Sequence, residues 1–134
     1  MKRLPRISPA EWQVMKVIWA GSPILAREVI ARLAVNQNWH AKTIRTLLAR
    51  LVKKRVISFQ KQGRAYLYRA LLQEADCVRA QSQSFLDRVF DGALVPMLAH
   101  FLQGREISDS ERQELGLLLG AKKKAAGSRF ELSI

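Results

Sequence analysis

Acidic residues are nearly missing from the first half of this chain. Residues 1–72 contain only Glu11 and Glu28 against fifteen Lys and Arg, a net charge of +13. Residues 73–134 carry nine Asp and Glu against eight Lys and Arg, a net of −1. An imbalance confined to one half points to a polyanion as its partner and leaves the other half for a different task. Cysteine is equally scarce. With Cys77 alone in 134 residues, an intramolecular disulfide is impossible and no thiolate cluster can hold a metal. Cys77 reads first as a small apolar residue on a helix face, with a redox sensor or an intermolecular disulfide as alternatives. No apolar run approaches the roughly eighteen residues that span a bilayer. The basic start, Met1-Lys2-Arg3-Leu4-Pro5, lacks the apolar stretch of a signal peptide. A soluble, cytoplasmic protein without membrane insertion is expected.

Catalytic constellations are absent too. His40 and His100 stand alone, with no carboxylate or cysteine at ligand or triad spacing. Ser8, Ser22, Ser58 and Ser128 lack the context of a nucleophile elbow. Gly63 and Gly104 form no phosphate loop. No enzyme activity, cofactor or metal is expected.

What is present is a pattern of helices. Ser8-Pro9-Ala10-Glu11 is a capping box with proline at the first helical position, and Ile7 and Trp12 sit where a hydrophobic staple would pack. Trp12, Met15, Ile18 and Trp19 follow at helical spacing, until Ala20-Gly21-Ser22-Pro23 stops the helix. The three tryptophans, Trp39 included, read as core anchors. A second helix is predicted over about residues 26–34, with Val29, Ile30 and Leu33 inward. Asn36-Gln37-Asn38 breaks it.

The third predicted helix, about residues 41–54, carries the most information. Ile44, Leu47, Leu48, Leu51 and Val52 make an uninterrupted apolar stripe. Lys42, Arg45, Thr46, Ala49, Arg50 and Lys53 fall opposite, without a carboxylate among them. Residues 56–60 and 65–69 then alternate with period two around Lys61-Gln62-Gly63-Arg64, which predicts a hairpin with a basic tip. Three helices and such a hairpin make a winged helix-turn-helix. In that fold the first turns of the third helix reach into the major groove. Lys42, Thr43, Arg45 and Thr46 are therefore expected to meet base edges. Arg50, Lys53, Lys54, Arg55, Lys61 and Arg64 stand where phosphates pass.

From Gln73 the composition changes. Helices are predicted over residues 73–90, 93–102 and 108–119, the last opened by a second capping box, Ser108-Asp109-Ser110-Glu111. Residues 122–134 look like a flexible tail. Helices this short bury little against one another. Phe85, Leu86, Val89, Phe90, Leu94, Met97, Leu98, Phe101, Leu115 and Leu118 are expected to pack against a second copy of the chain, with packing onto the chain's own first half as the alternative. The predicted architecture is thus mainly α with a small β-hairpin wing. It comprises a DNA-binding domain over 1–72, a helical dimerisation domain over 73–121 and a tail. The expected function is sequence-specific binding of double-stranded operator DNA as a repressor. A winged-helix protein-interaction module is the competing reading, since fold alone does not fix function.

The blocks Ile7-Ser8-Pro9-Ala10-Glu11-Trp12-Gln13-Val14-Met15, Ile18-Trp19, Lys42-Thr43-Ile44-Arg45-Thr46-Leu47-Leu48, Arg50-Leu51 and Lys53-Lys54 resemble the BlaI/MecI-type penicillinase repressors. So do Gly63-Arg64, Tyr66 and Tyr68 in the wing, and Phe85-Leu86 and Asp91-Gly92 beyond it. The resemblance covers about residues 5–119. It implies a homodimer on an inverted-repeat operator, repressing resistance or stress genes. It also implies inactivation by cleavage in the dimerisation region, triggered by a membrane-bound sensor protease. The corresponding bond here is His100-Phe101, with histidine where the family usually has asparagine. A related copper-responsive branch uses paired cysteines near the C-terminus, which a chain with Cys77 alone lacks. The family commonly has serine or threonine at the position of Leu25, Ser-Pro at His40-Ala41, and glycine at Arg55. A lost N-cap costs about 1 kcal/mol. Arg55 is strained if its position demands a positive φ.

Overall fold

In a computed structural model, the backbone of residues 4–133 and the side chains of residues 4–122 are described. Helix α1 (Pro9–Gly21) begins with the capping box read from sequence. The Glu11 N–H donates to the Ser8 hydroxyl at 3.1 Å, and Glu11 Oε1 accepts from the Ser8 N–H at 2.8 Å. Strand β1 (Ile24–Leu25), helix α2 (Ala26–Asn36) and helix α3 (Ala41–Lys53) follow. Asn38, at φ 56°, turns the chain between the last two. Asparagine tolerates that left-handed conformation better than most residues.

The core forms where the helical stripes meet. Val14, Met15 and Ile18 of α1, Val29 and Leu33 of α2, and Ile44, Leu47, Leu48 and Leu51 of α3 are buried together. Trp12 and Trp19 lie half-buried at its border, ring edge to ring face with centroids 5.3 Å apart, so Val14 occupies the central place that the tryptophans were expected to share. Ile30 and Val52 are likewise peripheral.

Strands β2 (Ile57–Gln62) and β3 (Ala65–Ala70) form the wing. Gly63, at φ 63°, opens their two-residue turn, a conformation that a hairpin of this length favours and glycine adopts without strain. The antiparallel sheet has the order β1-β3-β2. The two-residue strand β1 was not foreseen, because Ile24 and Leu25 are too short to show a period and pair with Tyr68 and Leu67 far along the chain. Trp19 Nε1 donates to the Leu72 carbonyl at 2.9 Å, which fixes the wing's exit to α1.

Two compact units, residues 1–84 and 85–134, divide within helix α4 (Glu74–Phe90), whereas composition had suggested a boundary at residue 72. The first turns of α4 belong to the first unit because Cys77 is buried in its core. The second unit holds the end of α4, helix α5 (Leu94–Leu102) and helix α6 (Asp109–Ser133). Asp91 and Gly92, at φ 52° and 82°, stop α4 as expected. Helix α6 opens with the Ser108–Glu111 capping box and continues through Ser133, past the predicted stop near Leu119. The side chains of the tail segment from residue 123 onward, and Ile134 entirely, lie outside the described residues.

Candidate nucleic-acid interface

Helix α3 presents two chemically opposite faces. Ile44, Leu47, Leu48 and Leu51 are buried, while Lys42, Thr43, Arg45, Thr46, Ala49, Arg50 and Lys53 are exposed. Core packing on one side thus fixes which side chains face solvent on the other. The Thr46 hydroxyl donates to the Lys42 carbonyl at 3.0 Å. That bond occupies the hydroxyl on the helix backbone and leaves the methyl group for an apolar contact. Arg50 and Lys53 stand in the last turn, where positive charge also complements the helix dipole. His40 takes the N-cap position in extended conformation but makes no capping hydrogen bond, and Leu25 makes none at the start of α2.

In the wing, Phe59, Lys61, Tyr66 and Tyr68 share one face of the hairpin, with Phe59 opposite Tyr68 and Lys61 opposite Tyr66. The Lys61 ammonium lies 6.0 Å from the centroid of the Tyr66 ring. Phe59 packs edge-on to Tyr66, with centroids 5.5 Å apart. Arg64 is exposed at the tip beside Gly63. The wing therefore offers one cation on an aromatic support and a second at its tip, joined to α3 by three residues, Lys54, Arg55 and Val56.

That junction departs from the sequence expectation. Lys54 is not spread among the outward cations. Its ammonium lies 2.6 Å from Glu11 Oε1 and donates at 2.8 Å to the Arg6 carbonyl. Glu11 is 1% exposed, and among the described residues its Oε2 finds no hydrogen-bond partner. Burial pushes the Glu11 carboxyl up. The Lys54 ammonium and the Ser8 N–H and hydroxyl outweigh it and hold the group below its ordinary 4.5. The pair spans 43 residues of sequence, so neither helical spacing nor local charge pattern could have revealed it. Only the apolar setting of Glu11, between Ile7 and Met15, hinted that its charge needs a partner. Arg55 follows at φ 63°, the strained conformation foreseen for that position.

In the second unit the residues expected at a dimer contact divide in exposure. Phe85, Leu86, Phe90, Met97 and Leu98 are half-buried, while Val89, Leu94, Phe101, Leu115 and Leu118 are exposed, Leu118 by 68%. Phe101 stacks on Phe85 and packs edge-on to Phe90, and His100 lies against Phe90 with centroids 5.5 Å apart. The His100–Phe101 bond is inside the last turn of α5. Cys77 is buried, and desolvation together with the Asp76 charge pushes its thiol above the ordinary 9.0, which disfavours a reactive thiolate. Among the described residues no group of His, Cys, Asp and Glu is placed to hold a metal, and no helix is long and apolar enough to cross a membrane.

Residues 7–121 match the family described as penicillinase repressor. The penicillinase repressor of Bacillus licheniformis is 42% identical over 119 residues, covering 89% of this chain and 93% of that protein. The methicillin resistance regulatory protein MecI of Staphylococcus aureus strain N315 is 34% identical over 116 residues, covering 87% and 94%. Among solved structures, the DNA-binding domain of the repressor BlaI superposes with a TM-score of 0.52 at 46% identity, over 57% of this chain and 93% of that one. The Bacillus licheniformis BlaI monomer in complex with the blaP half-operator superposes with a TM-score of 0.50 at the same identity and coverage. This chain belongs to the penicillinase repressor family.

Proposed function

We propose that the chain is a transcriptional repressor that binds operator DNA through α3 and the wing, as a homodimer on an inverted repeat, and is a binding protein rather than an enzyme. The observation that carries this reading is the outward face of α3, where every charged residue is a cation while Ile44, Leu47, Leu48 and Leu51 bury the opposite face. Arg45 and Lys42 supply donors for guanine O6 and N7, and the methyl groups of Thr43 and Thr46 suit a thymine methyl. Each good base contact contributes about 1–3 kcal/mol of discrimination. Arg50, Lys53, Lys61 and Arg64 neutralise phosphates, and each phosphate neutralised steepens the fall of log affinity with log salt by about 0.9.

The second unit brings a second copy to the other half-site. Its exposed leucines and aromatics suit a twofold contact with a second copy, which places two reading helices on one face of the duplex. Control by proteolysis in α5 fits this scheme. Cutting His100–Phe101 detaches Phe101 from Phe85 and Phe90 and dismantles the aromatic cluster of the unit. The genes served are those of resistance or stress response, in the cytoplasm.

The test is selection of duplexes from a randomised DNA pool by the full chain. Enrichment of an inverted-repeat sequence is expected; recovery of no preferred sequence, at any salt, overturns the reading in favour of a protein-binding winged helix.

A further inference from the structure

We infer that Glu11 and Lys54 form an internal strut that positions α3 and the wing for operator recognition, so that Lys54 acts through Glu11 and not on a phosphate. The inference rests on the DNA-binding reading above. Lys54 is the C-cap residue of α3, directly between the cations of its last turn and the strand that opens the wing. Its ammonium reaches back to two points at the start of α1, the Glu11 carboxylate at 2.6 Å and the Arg6 carbonyl at 2.8 Å. Glu11 is anchored in turn by the Ser8 N–H at 2.8 Å. One side chain therefore pins the end of the reading helix to the N-cap of the first helix.

The chemistry argues for geometry over stability. A buried carboxylate with an oxygen lacking a partner is a costly way to hold a fold together, since desolvation offsets much of the attraction within the pair. An apolar contact fills the same space with less loss. What an ion pair adds is direction: a short, charge-assisted bond is satisfied in one orientation of the two helices and not in neighbouring ones. Apolar stripes such as those of α1 and α3 tolerate small slides and rotations, and a small rotation of α3 displaces the groups that meet base edges. The strut removes that freedom at the point where both DNA-facing elements join.

Glu11→Gln is the decisive variant, because it leaves every cation of the DNA-binding unit in place and preserves an acceptor for the Ser8 N–H. Affinity is measured for the duplex that the wild-type chain selects from a random pool and for a scrambled duplex of equal composition. Both are titrated at several salt concentrations, at a temperature where circular dichroism shows each variant folded. The expected result is a fall of about tenfold in preference for the selected duplex, with scrambled-duplex affinity and salt slope as in wild type. Lys54→Met should show the same loss, the double variant no further loss, and Lys54→Arg retained preference.

Unchanged preference in folded Glu11→Gln overturns the strut, since a contribution to stability alone does not move that ratio. A Lys54→Met chain whose salt slope is shallower by about 0.9 also overturns it, because that is the mark of a lost phosphate contact. If Lys54→Met does not fold, Glu11→Gln and Lys54→Arg decide the matter between them. Failure of the wild-type chain to select any sequence is a different outcome, and it removes the DNA-binding reading itself.

Discussion

The Val56 N–H donates to the Leu51 carbonyl at 3.0 Å, closing the end of α3 across Arg55. The Arg55 N–H bonds the Val52 carbonyl at the same distance, and both Leu51 and Val56 are fully buried. This is a Schellman arrangement, which places the intervening residue in the left-handed region where glycine is favoured. Arginine there is strained by about 1 kcal/mol or more. Arg55→Gly is expected to stabilise the chain by roughly 0.5–1 kcal/mol after the entropy cost of glycine is counted, raising Tm by several degrees. Thermal unfolding checks this; a lower Tm contradicts the strain.

The start of α3 is the second place where stability has been left ungained. His40 occupies an extended N-cap conformation yet bonds none of the free N–H groups of the first turn. His40→Ser supplies an acceptor and should add about 0.5–1 kcal/mol, read from urea unfolding as a higher midpoint with unchanged slope. No gain would mean that solvent satisfies those groups as well as serine does.

Acid should weaken the fold through Glu11. The folded carboxyl titrates below its ordinary 4.5, so its contribution is complete above that pH and is lost as pH falls through the folded value. Wild type should therefore lose stability below about pH 4.5 more steeply than Glu11→Gln, and the two unfolding curves should converge towards acid. Parallel curves would show that the Lys54 pairing does not depress the carboxyl.

The second unit is tested by association. Leu118 and Leu115 are exposed on α6 beside Leu117 and Leu119, which are 67% exposed each. Leu118→Glu places a charge on that surface. Sedimentation should show a shift from dimer to monomer, with operator affinity lowered by tenfold or more as the second half-site contact is lost. A Leu118→Glu chain that remains dimeric moves the contact away from this part of α6.

Much of the DNA-binding unit was legible in sequence because its signals are local. The Ser8–Glu11 box, the stripe of Ile44, Leu47, Leu48 and Leu51, and the period-two flanks of Gly63 each lie within one helix end, one helix or one hairpin. What escaped is nonlocal. β1 exists only through its pairing with β3, and Lys54 leaves the cationic face only because Glu11 waits 43 residues earlier. Cys77 draws the first turns of α4 into the core, which shifts the division of the chain away from its change in composition. The helix beyond Leu119 was missed for another reason: the apolar period ends there, while alanine and lysine sustain helical backbone without it.

The central claim, that the outward face of α3 reads DNA, is tested most directly by titrating Arg45→Ala against the selected and the scrambled duplex, with Lys61→Ala in parallel. Arg45→Ala is expected to lose preference for the selected duplex by about 1–3 kcal/mol, roughly fivefold to 150-fold, while Lys61→Ala weakens both duplexes alike. Arg45→Ala affinities equal to wild type on both duplexes would contradict the claim.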